Sequence, residues 1–574
     1  MRSDQFKQEE ELNYTRKIPS GIAFPRCCRA SREIGLDTTE KIILKIKSFN
    51  KMASPLNGYF DDSNAVLAIK KILHQEVELY LTTLLYLNDK AREGGIKYRY
   101  NFSNALDSVP LDTIDFAHID KKRVHLSRMM LWCSVLFKLV MEFFKLLYRL
   151  IVSSKKLTFR KVARKSYLFG IENAKSSHLP GRTDGFNFII DEEQIKMDNL
   201  IVFMNRGNSL LDELNKGGYD YVFFEDLKCP LKWYLKKAKT LSIFVFKMLF
   251  GNMSLYSLDL LIKSYALKVV RSSLKWELLM ENYYIRNVFD YEEHSFLHVV
   301  KTLVISKYDC RNIYLPHSQI DNYGYVSSYI YYNCFFSSGK YLPGTFSSSW
   351  SKDTKILEVG VWRNDDLFVE DLNNAGAKLR NFVSEVYEQR KIITILPSSS
   401  VVPEMDIELV DTGVKILDHY SDCILFIKIK RDRDKNFVKS PIKEKLQPYI
   451  DQKRLFFLTK GNGWYSTPQY MFKYSTLHLA NCGSVIVECL LANAPIFVTS
   501  SSFIFDTPFT KMLKRHILFD GPERLWEAIK DYLETGDKSI FRFEDYYEWF
   551  DQYRDGKATE RIRDQLLNNE SYHV

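Results

Sequence analysis

Most of the short signatures that would settle a function are missing from this sequence. There is no Walker loop, no GxGxxG turn, no GxSxG elbow and no HExxH helix. P-loop enzymes, nucleophile-elbow hydrolases, zincin-type proteases and the dinucleotide fingerprint are thereby left out. The nine cysteines, at positions 27, 28, 133, 229, 310, 334, 423, 482 and 489, form no CxxC pair and have no histidine at zinc-finger distance. An odd, scattered set of this kind reads as the reduced thiols of a cytoplasmic protein, not as a disulfide framework. The opening MRSDQFKQEEELNYTRK carries no apolar run, so no export signal is expected. Repeats and low-complexity blocks are absent. Basic residues gather beside apolar helices and not along aromatic strand faces, which excludes nucleic acid as the expected partner. Asp432-Arg433-Asp434 has the Asp-x-Asp spacing of a metal site, but it sits among basic residues and reads as a solvated loop.

With 574 residues, 46% hydrophobic and 26% charged, the chain has the make-up of a folded protein of two or three domains. Its net charge of +10 is unevenly placed. Residues 1–120 read as an N-terminal extension, broken at first by Pro19, Gly21, Pro25 and Pro55, then helical from Asn64 to Leu87 with a stop at Gly94-Gly95. Residues 121–184 form a basic and apolar helical segment. Between Leu131 and Val152 the only charges are Lys138, Glu142, Lys145 and Arg149, which share one stripe of a helix that is otherwise apolar. Four charges near mid-span make a spanning helix costly. The pattern fits an interfacial helix in the headgroup plane, charges outward, drawn to an anionic membrane surface by the basic clusters on either side, or a helix buried between domains or in an oligomer with its stripe paired elsewhere. A second apolar run, Leu241 to Ile262, is interrupted at Gly251-Asn252.

From about Gly185 strands and helices alternate, the pattern of parallel α/β units. One unit covers 185–350 with an apolar helical insertion at 230–290, a second covers 351–542, and 543–574 is a closing helix. Asn199 to Met204 reads as a strand leading into Asn205-Arg206-Gly207. A long helical stretch is expected from Ile262 to about Val288. Asn312 to Leu315 leads into Pro316-His317-Ser318, and Ile356 to Trp362 into Arg363. Ile392 to Leu396 leads into Pro397-Ser398-Ser399, and Cys423 to Ile429, with Lys428 near its end, into Lys430-Arg431. Ligands bind beyond the carboxyl ends of such strands, which is where these polar residues fall.

The stretch from Ser475 to Ser500 is the most informative. It reads as a strand (Leu477 to Ala480), a tight turn (Asn481-Cys482-Gly483-Ser484), a helix and a second strand (Ile496 to Val498). Backbone N–H groups and the helix dipole at Gly483-Ser484 suit an anion. Ser484 can cap the helix, and Glu488 can accept hydrogen bonds from a ribose diol. The same pattern also fits an ordinary βαβ unit, with Glu488 as a solvated first-turn residue.

The Gly/Ser turn, the Glu on the next helix and the Ala494-Pro495 step into a hydrophobic strand resemble the donor-nucleotide segment of GT-B glycosyltransferases. The sugar 2-epimerases, the teichoic-acid polymerases and the capsule Kdo-type transferases are relatives of that group. The resemblance covers roughly 185–567 and implies an α/β fold of two Rossmann-like domains, acceptor then donor, behind an N-terminal helical, membrane-associating extension. Pro316-His317-Ser318 stands where those relatives often carry His-Gly, and Lys428 to Arg431 where they often carry His-Pro. The implied activity is metal-independent transfer from a UDP-, GDP- or CMP-linked sugar, with no other cofactor, to a lipid-linked or growing surface polysaccharide of the capsule or lipopolysaccharide kind. The implied location is peripheral, on the inner face of the cell membrane. His317 would be the catalytic base. Ser398, Ser399, Lys428, Lys430, Arg431, Gly483, Ser484 and Glu488 would hold the donor nucleotide and its phosphates, and Arg206, Gly207 and Arg363 would line the acceptor side of the cleft. Two alternatives stand beside this one: a CDP-alcohol-dependent polyol-phosphate transferase, and a non-catalytic scaffold that keeps the double Rossmann shape.

Overall fold

Apolar runs bounded by polar residues become the strands of two parallel sheets. The computed structural model describes residues 36–44, 46, 49–94, 98–99, 119–120, 125–158, 164–172, 199–206, 210–250, 257–290, 295–315, 327–362, 390–397, 403–428, 442–458, 469–472, 474–481, 485–499, 508–519, 521–541, 543–544 and 547–567. The first sheet holds β1 (Lys165–Glu172), β2 (Leu200–Met204), β3 (Asp220–Phe223), β4 (Tyr283–Asp290), β5 (Arg311–Tyr314), β6 (Cys334–Ser337) and β7 (Lys355–Glu358), in the spatial order β7-β6-β5-β4-β1-β2-β3. The second holds β8 (Lys391–Leu396), β9 (Cys423–Lys428), β10 (Leu455–Leu458), β11 (Leu477–Ala480) and β12 (Ile496–Val498), in the order β10-β9-β8-β11-β12. In each sheet the chain starts in the middle, runs to one edge, and returns to build the other side. Each therefore has a switch point, between β1 and β4 in the first and between β8 and β11 in the second, the doubly wound arrangement of a Rossmann-like unit. The two-unit α/β fold expected from the sequence is the one the chain adopts.

Both faces of the first sheet are buried, as a parallel sheet requires. Ile201 and Phe203 of β2 face a helical layer, while Leu200, Val202 and Met204 face the opposite core. Gly170 lets β1 pass close to β2, since a Cβ there would lie 2.6 Å from a ring carbon of Phe203. The helical layer contains α1 (Phe49–Phe60), α2 (Ala65–Gly94), α3 (His125–Ser154), α4 (Leu231–Phe250), α5 (Ser257–Asn282) and α6 (Leu297–Ile305). The described helices of the N-terminal extension, α1 and α2, are thus built into the core of the first unit. Pro55, read from the sequence as a breaker, lies inside α1, where the buried Leu56, Tyr59 and Phe60 hold the helix by tertiary packing.

Three strands fall where the sequence suggested otherwise. β1 follows a basic run that looked like part of the helical segment. β4 begins inside the stretch expected to stay helical, because Asn282 ends α5: its side-chain amide donates to the carbonyls of Leu278 at 2.8 Å and Lys228 at 2.7 Å. β7 pairs with β6, so it completes the first sheet and does not open the second.

The charged stripe of α3 takes the second of its two readings in part: Lys138, Glu142 and Lys145 pair within the protein, while Arg149 is exposed. Arg271 of α5 donates to Glu142 at 3.1 Å, Lys145 donates to the other oxygen of Glu142 at 2.8 Å, and Lys138 lies 3.4 Å from Glu76 of α2. Burial alone would raise the Glu142 pKa, but the hydrogen bond from Lys145 and the charge of Arg271 outweigh it and hold the carboxyl below its ordinary range. Val135, Leu139 and Leu146 seal the same side, and the second apolar stripe of α3 faces outward.

The second unit carries α7 (Val485–Leu491) between β11 and β12. The expected closing helix comes as two pieces, Tyr547–Phe550 and α8 (Ala558–Leu567). Phe550 packs against Tyr341 of the first unit and Phe509 of the second, and Ile562 and Leu566 of α8 pack on the first sheet, so the chain returns to the first unit.

Candidate functional site

Of the donor residues expected from the sequence, the described residues place Lys428 at the carboxyl edge of the second sheet and Glu488 on the helix that follows β11. The strand registers pair Ile395 with Ile427 and Leu396 with Ala480. One residue on from Ile427 is Lys428, so Leu396, Lys428 and Ala480 lie side by side as the last residues of β8, β9 and β11. Ser398 and Ser399 follow β8 in sequence, and Gly483, Ser484 and Glu488 follow β11.

Lys428 is placed by its strand: CILFIK is buried on both faces and ends in the one cation. Burial pushes its ammonium pKa from 10.5 down to about 8. A buried amine of that kind gains from an anion that restores its charge. Glu488 sits half-buried in the first turn of α7, whose Ile486, Val487, Cys489, Leu490 and Leu491 are in the core.

Two further polar groups share this edge, and sequence reasoning passed over both. Asn481 and Thr499, the residues after β11 and β12, are fully buried. The Thr499 amide donates to the Ala480 carbonyl at 3.0 Å, while its hydroxyl has no hydrogen-bond partner among the described residues. Their signal was a polar residue directly after an apolar strand at the ligand edge.

The first switch point is different. β1 ends in Glu172 and β4 in Asp290, and Lys301 of α6 bridges them at 2.7 and 2.9 Å. Lys275 of α5 adds a second cation to Glu172 at 2.8 Å. Burial opposes ionisation of Glu172, but the charges of Lys301 and Lys275 hold its pKa below the usual carboxylate value. Lys301, fully buried, is held protonated by Asp290 and Glu172 against the same desolvation. Charges compensated in this way fix strand ends to helices; they offer no spare cation to a phosphate. None of these four residues was legible as a group while β1 and β4 were unread.

Arg206 follows β2 as expected and is exposed. Its guanidinium pairs with Asp226, its backbone N–H donates to Glu225 at 3.2 Å, and it lies over the Phe223 ring. It is therefore engaged at the β2–β3 edge. Gly207, His317, Arg363, Ser398, Ser399, Lys430, Arg431, Gly483 and Ser484 lie outside the described residues, as does Asp432-Arg433-Asp434. Among the described residues no three His, Cys, Asp or Glu side chains gather as metal ligands.

No protein-family model matches the chain, and no curated protein does. Solved structures with a similar course include a UDP-N-acetylglucosamine 2-epimerase, at 11% identity over 72% of this chain and 98% of that one, with a TM-score of 0.43. The wall teichoic acid polymerase TagF matches at 14% identity over 76% of this chain and 97% of its own, with a TM-score of 0.41. A glycosyltransferase from Rickettsia africae matches at 13% identity over 71% and 99%, with a TM-score of 0.40.

Proposed function

We propose that the chain is a GT-B-type glycosyltransferase that uses a nucleotide sugar, without a metal, to extend a lipid-linked or growing surface glycan at the inner face of the cell membrane. The observation that supports this is the buried lysine at the carboxyl edge of the second sheet, where the first sheet ends in carboxylates. In the first, the strand-end carboxylates are neutralised by lysines. In the second, a buried amine of lowered pKa stands at the end of β9, next to β8 and one strand away from β11. That second edge suits the phosphates of a donor, with Lys428 as principal cation, Lys430 and Arg431 next to it in sequence, and Gly483-Ser484 following β11 in sequence.

Transfer breaks the bond between the anomeric carbon and the phosphate oxygen, and the electron pair leaves with the nucleotide. The acceptor hydroxyl forms the new bond and gives up its proton, for which His317 is the proposed base. Cations at the donor phosphates stabilise the charge that grows on the leaving group. Glu488 is assigned to the ribose diol, and Arg206, Gly207 and Arg363 to the acceptor side.

Calorimetric titration with UDP, GDP, CDP and CMP tests the reading. One nucleotide binds the parent protein, and its affinity drops at least tenfold in Lys428→Ala and in Glu488→Ala. Silence from all four nucleotides overturns the transferase reading in favour of a scaffold, and turnover with a CDP-alcohol alone moves it to the polyol-phosphate alternative.

A further inference from the structure

Helix α3 is amphipathic twice over. Its Lys138, Glu142 and one apolar stripe are committed to α2 and α5, yet on the opposite side Phe137, Phe144, Tyr148 and Ile151 are 66, 58, 68 and 55% exposed. Their spacing of seven, four and three residues keeps them on a single face over about four turns. An apolar stripe of that length left in water marks a contact surface.

A second helix stands beside it. The residues after α3, Leu157–Thr158, pair in parallel with Cys229–Pro230, the residues directly before α4, and the two helices touch. On α4 the outward positions carry Leu235 and Ile243, 60 and 46% exposed, interleaved with the exposed Lys232, Lys236, Lys239 and Lys247. α4 contains no acidic residue, and the single acid of α3, Glu142, is buried against Arg271.

We infer that α3 and α4 together form a docking face for an anionic lipid bilayer, with the outer stripe of α3 and the tips of Leu235 and Ile243 in the acyl boundary and the α4 lysines among the headgroups. A second copy of the chain is the competing occupant, and charge decides against it: two such faces brought together oppose lysine to lysine with no exposed acid on either helix to offset them. Anionic headgroups supply the missing charge. None of the described helices is long and apolar enough to cross a membrane, so the face lies on the bilayer. The inference deepens the membrane-side location proposed above and rests on it, but it does not depend on the donor assignment.

The test is flotation of the full chain with phosphatidylcholine vesicles, with and without phosphatidylglycerol, alongside its mass in solution. The parent protein floats with the anionic vesicles and stays behind with the neutral ones. Phe137→Asp with Phe144→Asp abolishes flotation, as does Leu235→Asp with Ile243→Asp, all four being exposed positions. Replacing Lys232, Lys236 and Lys239 by Gln, the mildest change to the fold, weakens partitioning by roughly fivefold per lysine. Three outcomes overturn the inference. The parent fails to float, or α4 variants float like the parent, or the parent is a dimer whose mass halves in the Phe137 and Phe144 variant without any lipid binding. Nucleotide titration on the same samples separates the two proposals, since a docking failure leaves it intact and a donor-site failure leaves flotation intact.

Discussion

An ammonium held at about 8 is mostly charged at pH 7 and mostly neutral at pH 9, and burial brings Lys428 to that position. If it carries the donor phosphate, nucleotide affinity is highest below pH 8 and falls about tenfold per unit above it. Binding isotherms between pH 6.5 and 9.5 check this, and the slope is absent in Lys428→Ala. His478 sets the opposite limit. It is fully buried on β11 with Nδ1–H donating to the Pro495 carbonyl at 2.9 Å, and burial lowers its pKa from 6.5 to about 4. A folded-state pKa below the unfolded one gives stability that is complete above pH 6.5 and is lost as the pH falls toward 4, worth about 3 kcal/mol. Urea midpoints at pH 7 and pH 4.5 read this loss, and a His478→Gln variant loses less between the two. Lys428 was legible in the sequence because it ends an unbroken apolar run at the ligand edge. Glu172, Asp290 and Lys301 were not, because ion pairs across a fold leave no local pattern.

At the scale of elements, strands with apolar cores and polar ends were readable, and β2, β5, β8, β9, β11 and β12 all lie within a residue or two of expectation. β4 was hidden because Leu278, Ile285 and Val288 keep a helix-like spacing through a boundary that only the side-chain bonds of Asn282 mark. For α3 the stripe was visible but its direction was not, since periodicity shows that charges share a side without saying what that side meets. Removing the cation opposite Glu142 makes the distinction measurable. Arg271→Met leaves a buried carboxylate with Lys145 alone and lowers unfolding free energy by about 1–2 kcal/mol, while a stripe facing headgroups would have left stability in solution unchanged. Denaturant titration without lipid gives the value.

Across the whole molecule, the two units are joined where the chain leaves β7. Asp551 accepts the Val361 N–H at 2.8 Å, Arg561 of α8 donates to the Val359 carbonyl at 2.8 Å and pairs with Asp555 at 2.9 Å, and Gly360 between them has φ +91°. A Cβ at Gly360 would lie 3.0 Å from an Asp551 oxygen and 3.1 Å from Arg561, in a backbone conformation unfavourable to any other residue. Gly360→Ala therefore costs about 1–3 kcal/mol, read as a lowered thermal midpoint. The order of the two units was legible from the alternation of strands and helices. The return of the last helix to the first unit was not, because Ile562 and Leu566 look like the apolar face of any short amphipathic helix.

That return has a consequence for how the protein is made. One face of the first sheet, with Phe169, Val202, Phe289 and Phe336, is covered in part by Ile562 and Leu566. A ribosome delivers the strands of that sheet long before it delivers α8. The unit synthesised first is finished last, and in the interval it carries an open apolar face of the kind that chaperones shelter.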